Sequence, residues 1–290
     1  MKIYNASSPL QASCKGDFSL QNLSSSFPDA TDKKRQEKGL KKETKKLDLL
    51  QQKLYAQDSH SILCVFQAID AAGKDSTIRS VFGRLNPAGF QVHSFKAPSK
   101  EELDHDFLWR TASRLPERGR IGIFNRSYYE ETLVVKVHPE YLSSQRLDAE
   151  VNDDFWQQRY KSIRTHEEHL VANGTVVLKF WLNVSKAEQK QRFLSRLERP
   201  EKHWKFSAND LVERGYWEDY MAAYEDCIRH TSTEYAPWYV IPADDKPAMR
   251  HEVARIVRRT LEKMDPQFPQ LDADDIENLS SYANQLNSEK

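Results

Sequence analysis

Residues able to do chemistry gather in three short stretches. The first is Ala68-Ile69-Asp70-Ala71-Ala72-Gly73-Lys74-Asp75-Ser76. A strand, a loop of small residues, a Gly-Lys pair and a helix form the context of a phosphate-binding loop. Backbone N–H groups of Ala71, Ala72 and Gly73 can face an anion there, and Lys74 adds a point charge. The pattern departs from G-x-x-x-x-G-K-[ST]: Ala68 stands at the first glycine, and Asp75 replaces the hydroxyl that usually meets magnesium. An anion site carrying its own carboxylates, Asp70 and Asp75, suits a divalent metal, because hard cations take oxygen ligands. The plainer alternative is a strand-to-helix turn with a capping aspartate and a solvated lysine.

The second stretch is Asn125-Arg126-Ser127-Tyr128-Tyr129-Glu130-Glu131, directly after the apolar Ile121-Gly122-Ile123-Phe124. Open parallel sheets bind ligands at the carboxyl ends of their strands. A neighbouring strand there usually delivers an aspartate that holds magnesium through water; here it delivers Asn125 and then Arg126, which can clamp a phosphoryl group bidentately. The alternative is a polar turn in which Asn125 caps a helix and Glu130 and Glu131 only complement its dipole.

The third stretch is Arg192, Arg196 and Arg199, spaced to share one helix face, followed by Lys202 and Lys205. Such charges usually mark a solvated face, but this cluster follows a sheet strand, where nucleotide kinases carry a lid.

The elements that must position these groups are legible as alternating strands and helices. Apolar runs at 62–69, 90–96, 121–124, 175–184 and 238–242 read as five strands. Helices are expected over 31–57, 74–86, from Ser99 to Pro116, and over 150–173. Further helices follow from Ser185, over 208–229 and over 247–264. Ser99 with Glu102 resembles a capping box, and Pro87 and Gly89 end the second helix. Alternation of this kind implies a parallel sheet with helices on both faces. Residues 1–57 are expected to be a loosely packed arm followed by an amphipathic helix. Residues 58–265 form one α/β domain with a lid at about 190–220, and 266–290 a polar tail. Lys41, Lys42, Lys45 and Lys46 are expected on the solvated side of the first helix, with Leu47, Leu50 and Leu54 on its packing side.

The 290 residues carry 43 Lys+Arg and 43 Asp+Glu, so the net charge is zero and bulk nucleic-acid binding is not indicated. Cys14, Cys64 and Cys227 lack metal spacing, which favours a reducing compartment. No apolar run reaches membrane-spanning length, and Met1-Lys2-Ile3-Tyr4 lacks a secretory core. A protein that is neither membrane-bound nor secreted, and hence cytoplasmic, is expected.

The chain resembles the polyphosphate kinase 2 family over about residues 48–265. The resemblance rests on Asp70-Ala71-Ala72-Gly73-Lys74-Asp75, Ser94-Phe95-Lys96-Ala97-Pro98 and Ile123 through Glu131. Trp204-Lys205-Phe206-Ser207 and Thr231 through Tyr239 add to it. It implies a three-layer P-loop sandwich around a central parallel five-stranded sheet, thymidylate-kinase-like, with a helical lid. It also implies reversible phosphoryl transfer between inorganic polyphosphate and nucleotides, with Mg2+. Adenine nucleotides are the expected partners, with guanine left open, in a homodimer or homotetramer.

Within the family the chain looks most like the class III members, which act on both AMP and ADP. Asn125 stands where members acting mainly on nucleoside diphosphates look to carry Asp. By this resemblance Asp70, Lys74, Arg126, Arg192 and Arg196 are catalytic and Asp70 holds the metal. Residues 71–76 with Lys202 and Lys205 bind polyphosphate, and Lys96, Asn125, Arg126 and Glu131 bind the nucleotide. Ser76 and His203 stand where glycine and arginine are common, and Asp245-Lys246-Pro247-Ala248 replaces bulky aromatics; the segment after His138-Pro139-Glu140 also differs. An ATP-dependent nucleoside monophosphate kinase of the same fold is the alternative, and a non-enzymatic polyanion-binding protein a second.

Overall fold

All seven residues of β1 (Ser61–Gln67) are buried, which is why the run shows no polar alternation: helices cover the sheet on both faces. The structure, a computed structural model, describes residues 2–21, 23–28 and 32–289. β1 is followed by β2 (Phe90–Ser94), β3 (Ile121–Asn125), β4 (Thr175–Asn183) and β5 (Trp238–Pro242), all parallel, in the spatial order β2-β3-β1-β4-β5. The helices are α1 (Lys33–Gln57), α2 (Lys74–Phe82), α3 (Asp153–Ala172), α4 (Lys186–Glu198), α5 (Asn209–Gly215), α6 (Trp217–Thr231), α7 (Lys246–Met264) and α8 (Ala273–Ser288). Short helical turns join them.

Successive residues of β1 feed opposite cores. Ile62, Cys64 and Phe66 pack with Leu47, Val81 and Val253 from α1, α2 and α7. Leu63 and Val65 pack with Tyr160, Ile163 and Tyr224 from α3 and α6. Burying each such side chain stabilises the fold by about 1.5–3 kcal/mol. The chain leaves β1 toward β2 on one side of the sheet and leaves β4 toward β5 on the other. That reversal opens a crevice at the carboxyl ends of β1 and β4. Lys41, Lys42, Lys45 and Lys46 are exposed on α1 while Leu47 and Leu54 are buried, as expected.

Four expectations change. Met1 and Thr31, where the arm and the charged helix were expected to begin, and Lys290 at the end of the tail lie outside the described residues. The arm itself is packed: Ala6, Ala12 and Phe18 are buried, and backbone bonds run from Val240 N to Leu10 O and from Ala12 N to Trp238 O, both 2.8 Å. Polar composition hid this, because the contacts are made by scattered small and apolar residues. The helix expected from Ser99 to Pro116 opens with its capping box but is helical only over Lys100–Leu103 and Trp109–Ala112. Asp106 accepts from Leu108 N and turns the backbone between them. The helix expected over 208–229 breaks at Tyr216, after Gly215. The polar tail contains α8, none of whose residues is buried. No helix among the described residues is long and apolar enough to cross a membrane.

Candidate active site

The loop between β1 and α2 has the conformation its small residues permit. Ala71 and Gly73 both have positive φ, 62° and 111°. No side chain caps the first turn of α2, so its N–H groups remain available to an anion. Lys74 Nζ folds back onto the loop, donating to Ala68 O at 2.7 Å and to Ile69 O at 3.4 Å. Burial, and then the neighbouring Arg126, push the Lys74 pKa down to about 8, against the pull of Asp70, Glu130 and Asp75.

Arg126 follows β3 with φ 63° and anchors its N–H on Phe66 O of β1. Its guanidinium donates to Asp70 Oδ1 at 2.6 Å and to Glu130 Oε2 at 3.0 Å. Glu130 is the main influence holding it protonated, with Asp70 adding to it against the cost of burial. Asn125 donates to Asp75 Oδ1 at 2.7 Å and to Ser94 Oγ at 3.4 Å. Thus Asp70, Lys74, Asp75, Asn125 and Arg126 meet at the ends of two adjacent strands.

The segment after Arg126 is fixed from beneath. Lys179 of β4 is fully buried and donates to Glu167 Oε2 at 2.6 Å, Thr231 O at 2.7 Å and Tyr129 OH at 2.9 Å. Tyr128 and Tyr129 donate their hydroxyls to Glu167 Oε1 at 2.9 and 2.8 Å. All three ammonium protons are satisfied, so the charge is paired and solvated by protein.

The two α4 arginines expected on a lid, Arg192 and Arg196, point in different directions. Arg192, expected at the transferring group, is buried beneath the loop. Nη1 donates to Ala71 O and Ala72 O at 3.0 and 2.6 Å, Nη2 to Ala243 O and Asp244 O at 2.6 and 3.1 Å, and Nε to Glu188 at 2.8 Å. Gln189 Nε2 reaches Asp70 O at 2.9 Å. Asp244 is itself held, accepting from Ser185 N and Ser25 Oγ at 2.7 Å each, so the amino-terminal arm braces the loop from behind. Arg196 pairs with Asp210 at 3.0 Å. Lys202 donates to Ser195 Oγ at 3.1 Å, and Lys205 lies over the Trp204 ring.

Two clefts share only Asp70 and Arg126. One, of about 620 Å³, is lined by Gly73, Lys74, Asp75, Ser76, Arg192, Arg196, Lys202 and Lys205, and also by Arg79, Lys246 and Arg250. The other, of about 460 Å³, has apolar walls from Pro98, Leu103, Val134, Val135 and Tyr141, with Lys96, Glu130, Glu131 and Gln145 among its polar groups. Lys96 is exposed there, whereas Glu131 is largely taken up by Arg159 at 2.5 Å and Gln145 at 2.7 Å. Asp70 and Asp75 offer only oxygen donors, which suits magnesium, an ion bound through one or two carboxylates plus substrate phosphates.

Sequence reasoning missed Glu130 as a partner of Arg126, Gln189, Arg79, Lys246 and Arg250. The i, i+4 spacing of Lys246 and Arg250 on one helix face was the available signal for that pair. Nothing in the sequence around Arg79 separates it from a solvated helix residue.

Residues 30–269 match the family model described as Polyphosphate kinase 2. The chain is 54% identical over 233 residues to a Rhodopseudomonas palustris protein named ADP-polyphosphate phosphotransferase, covering 80% of this chain and 81% of that one. It is 48% identical over 226 residues to the Meiothermus ruber AMP/ADP-polyphosphate phosphotransferase, covering 78% and 81%. The crystal structure of polyphosphate kinase 2 from Arthrobacter aurescens TC1 aligns with a TM-score of 0.86 at 35% identity, covering 97% of this chain and 98% of that one.

Proposed function

The chain belongs to the polyphosphate kinase 2 family, and from that premise we propose that it transfers a phosphoryl group reversibly between inorganic polyphosphate and AMP or ADP. The observation that carries this reading is the meeting of two unlike clefts at the Asp70–Arg126 pair. A base-free polyanion fits the cleft crowded with cations. A nucleoside fits the cleft with apolar walls, which brings its phosphate to the shared pair. The names of the relatives favour polyphosphate over ATP as donor.

In the forward direction an oxygen of the acceptor's terminal phosphate attacks the terminal phosphorus of polyphosphate. The bridging P–O bond breaks, and the donor leaves one unit shorter with the electron pair on its new terminal oxygen. Little covalent work falls to the protein, so positioning and charge neutralisation carry the rate. The loop amides and Lys74 hold the donor's end. Arg126, released from Asp70 and Glu130 by the incoming phosphates, bridges donor and acceptor. Arg196 neutralises charge from the lid, and Lys202 and Lys205 line the donor's path. Arg192 keeps the loop in its anion-binding conformation. Asp70, with Asp75 as a second carboxylate on the same cleft, would hold Mg2+, which when bound would neutralise phosphate oxygens. Lys96 and Asn125 face the acceptor's phosphates, and Glu131 shapes that cleft through Arg159 and Gln145. Guanine nucleotides as further acceptors and a homodimer or homotetramer belong to the same proposal and rest on the family alone; a cytoplasmic location belongs to it too and rests on the sequence features given above.

The test is to incubate the protein with magnesium, long-chain polyphosphate and AMP, and to separate the nucleotides chromatographically. ADP followed by ATP is expected. No product from polyphosphate, but ADP when ATP is supplied with AMP, overturns the donor assignment.

A further inference from the structure

The larger cleft is lined by the loop, by side chains of α4 and of the turn after it, and by a third group, the far wall, to which the transfer step above gives no role. The far wall is built by Arg79 of α2 and by Lys246 and Arg250, one turn apart on α7. Packing brings these helices together: Met249 of α7 touches the Thr77 hydroxyl and stands 3.4 Å from where a side chain on Gly73 would begin. Across the whole cleft nine basic side chains face three carboxylates.

Those carboxylates do not neutralise the far wall. Asp70 pairs with Arg126 and Glu188 with Arg192, while Asp75 accepts from Asn125. Glu37 of α1 and Asp245 at the start of α7 lie near enough to influence Arg250, but Asp245 caps the helix by accepting from Ala248 N. Among the described residues, none of Arg79, Lys246 and Arg250 forms an ion pair, and the Arg250 Nε is buried without a hydrogen-bond partner. Burial first, and then Arg192, push Lys246 down to about 8, with Arg250 and Lys202 adding to this against the pull of Glu188.

We propose that Arg79, Lys246 and Arg250 bind phosphates of the polyphosphate chain remote from the one transferred, and so set the preference for chain length. This rests on the polyphosphate reading above. A nucleotide is a poor occupant of this cleft, because its lining holds no apolar side chain larger than that of Ala71 against which a base could pack. A long chain running between the lid and the far wall meets cations on both sides, whereas a short one ends at the loop.

The experiment compares tripolyphosphate with long-chain polyphosphate by titration calorimetry and by initial rates, using the full chain. The variants are Arg79→Gln with Arg250→Gln, and separately Lys246→Gln, each checked by thermal melting. The charge-retaining Arg79→Lys with Arg250→Lys serves as the rescue. Affinity for long chains is expected to fall by about tenfold for each cation replaced, with a shallower salt dependence, while the preference for long over short chains collapses. The lysine variant should keep most of that preference. An equal loss for both lengths, or no loss for either, overturns the proposal. If the length-dependent binding loss appears while the wild type turns over no polyphosphate of any length, the wall stands and the assigned reaction falls.

Discussion

The side-chain amide of Asn125 donates a 2.7 Å hydrogen bond to Asp75, tying the end of β3 to the first turn of α2. An aspartate at 125 would face a second carboxylate at that distance, and the repulsion could be relieved only by a proton or a cation. With asparagine the rim carries one negative charge fewer where the acceptor's phosphates arrive.

Asn125→Asp should therefore lower kcat/KM for AMP relative to ADP by about tenfold, a difference of about 1.4 kcal/mol. Initial rates with each acceptor at fixed polyphosphate measure the ratio. An unchanged ratio would remove Asn125 from acceptor choice.

Donor binding should weaken as pH rises through about 8, where Lys74 loses its proton in the free protein. The sign for stability is opposite. Between about 8 and the ordinary lysine value near 10.5 the unfolded chain binds more protons, so Lys74's contribution to stability rises with pH. The polyphosphate KM measured from about pH 6 to about pH 10 should climb on the alkaline side, and the climb should persist in Lys246→Gln. A flat profile would show that Lys74 need not be charged.

Lys74→Ala and Asp70→Asn should each reduce kcat by about a thousandfold or more, with circular dichroism and melting temperature close to those of the parent. Near-native turnover by either would strike that residue from the mechanism.

Arg192→Ala removes a guanidinium that joins two loop carbonyls to two others beyond β5. A destabilisation of about 3 kcal/mol is expected, together with lost activity. Arg192→Lys should rescue neither, because an ammonium cannot span both carbonyl pairs. Urea unfolding and rate assays of the two variants check this. An arginine that acted only on substrate would leave stability unmoved.

Lys179→Met leaves Glu167 and two tyrosines in a dry core without their cation, and should cost about 3–5 kcal/mol. Pairing it with Glu167→Met should recover part of that loss. Urea unfolding of both variants gives the comparison, and an additive further loss in the double variant would contradict the paired-charge account.

The sheet was legible because its central strands are unbroken apolar runs, and the loop because its chemistry lies within one short stretch. Asp70, Lys74, Asp75, Asn125 and Arg126 therefore came together as their strand positions implied. What sequence spacing cannot carry is direction. Arg192 and Arg196 share a helix face, yet one turns inward to the loop and the other to Asp210. Lys179 sits in a strand that otherwise reads as pure core, and only folding shows the acid and hydroxyls waiting for it. Arg79 and Arg250 are 171 residues apart in number, and helix packing alone makes them neighbours. The arm's packing is not legible because part of it is backbone pairing with β5, which leaves no mark in side-chain pattern, and the rest is made by scattered residues such as Ala6, Ala12 and Phe18.

That pairing has a colloidal consequence. β5 is the outermost strand on its side, and an outermost strand with free backbone groups is a template for another chain. Leu10 and Ala12 already occupy the groups of Val240 and Trp238 that a stray strand would seek. The arm thus stoppers that edge against strand-to-strand polymerisation, and a version shortened past Ala12 would leave the backbone groups of Trp238 and Val240 open to a strand from another chain.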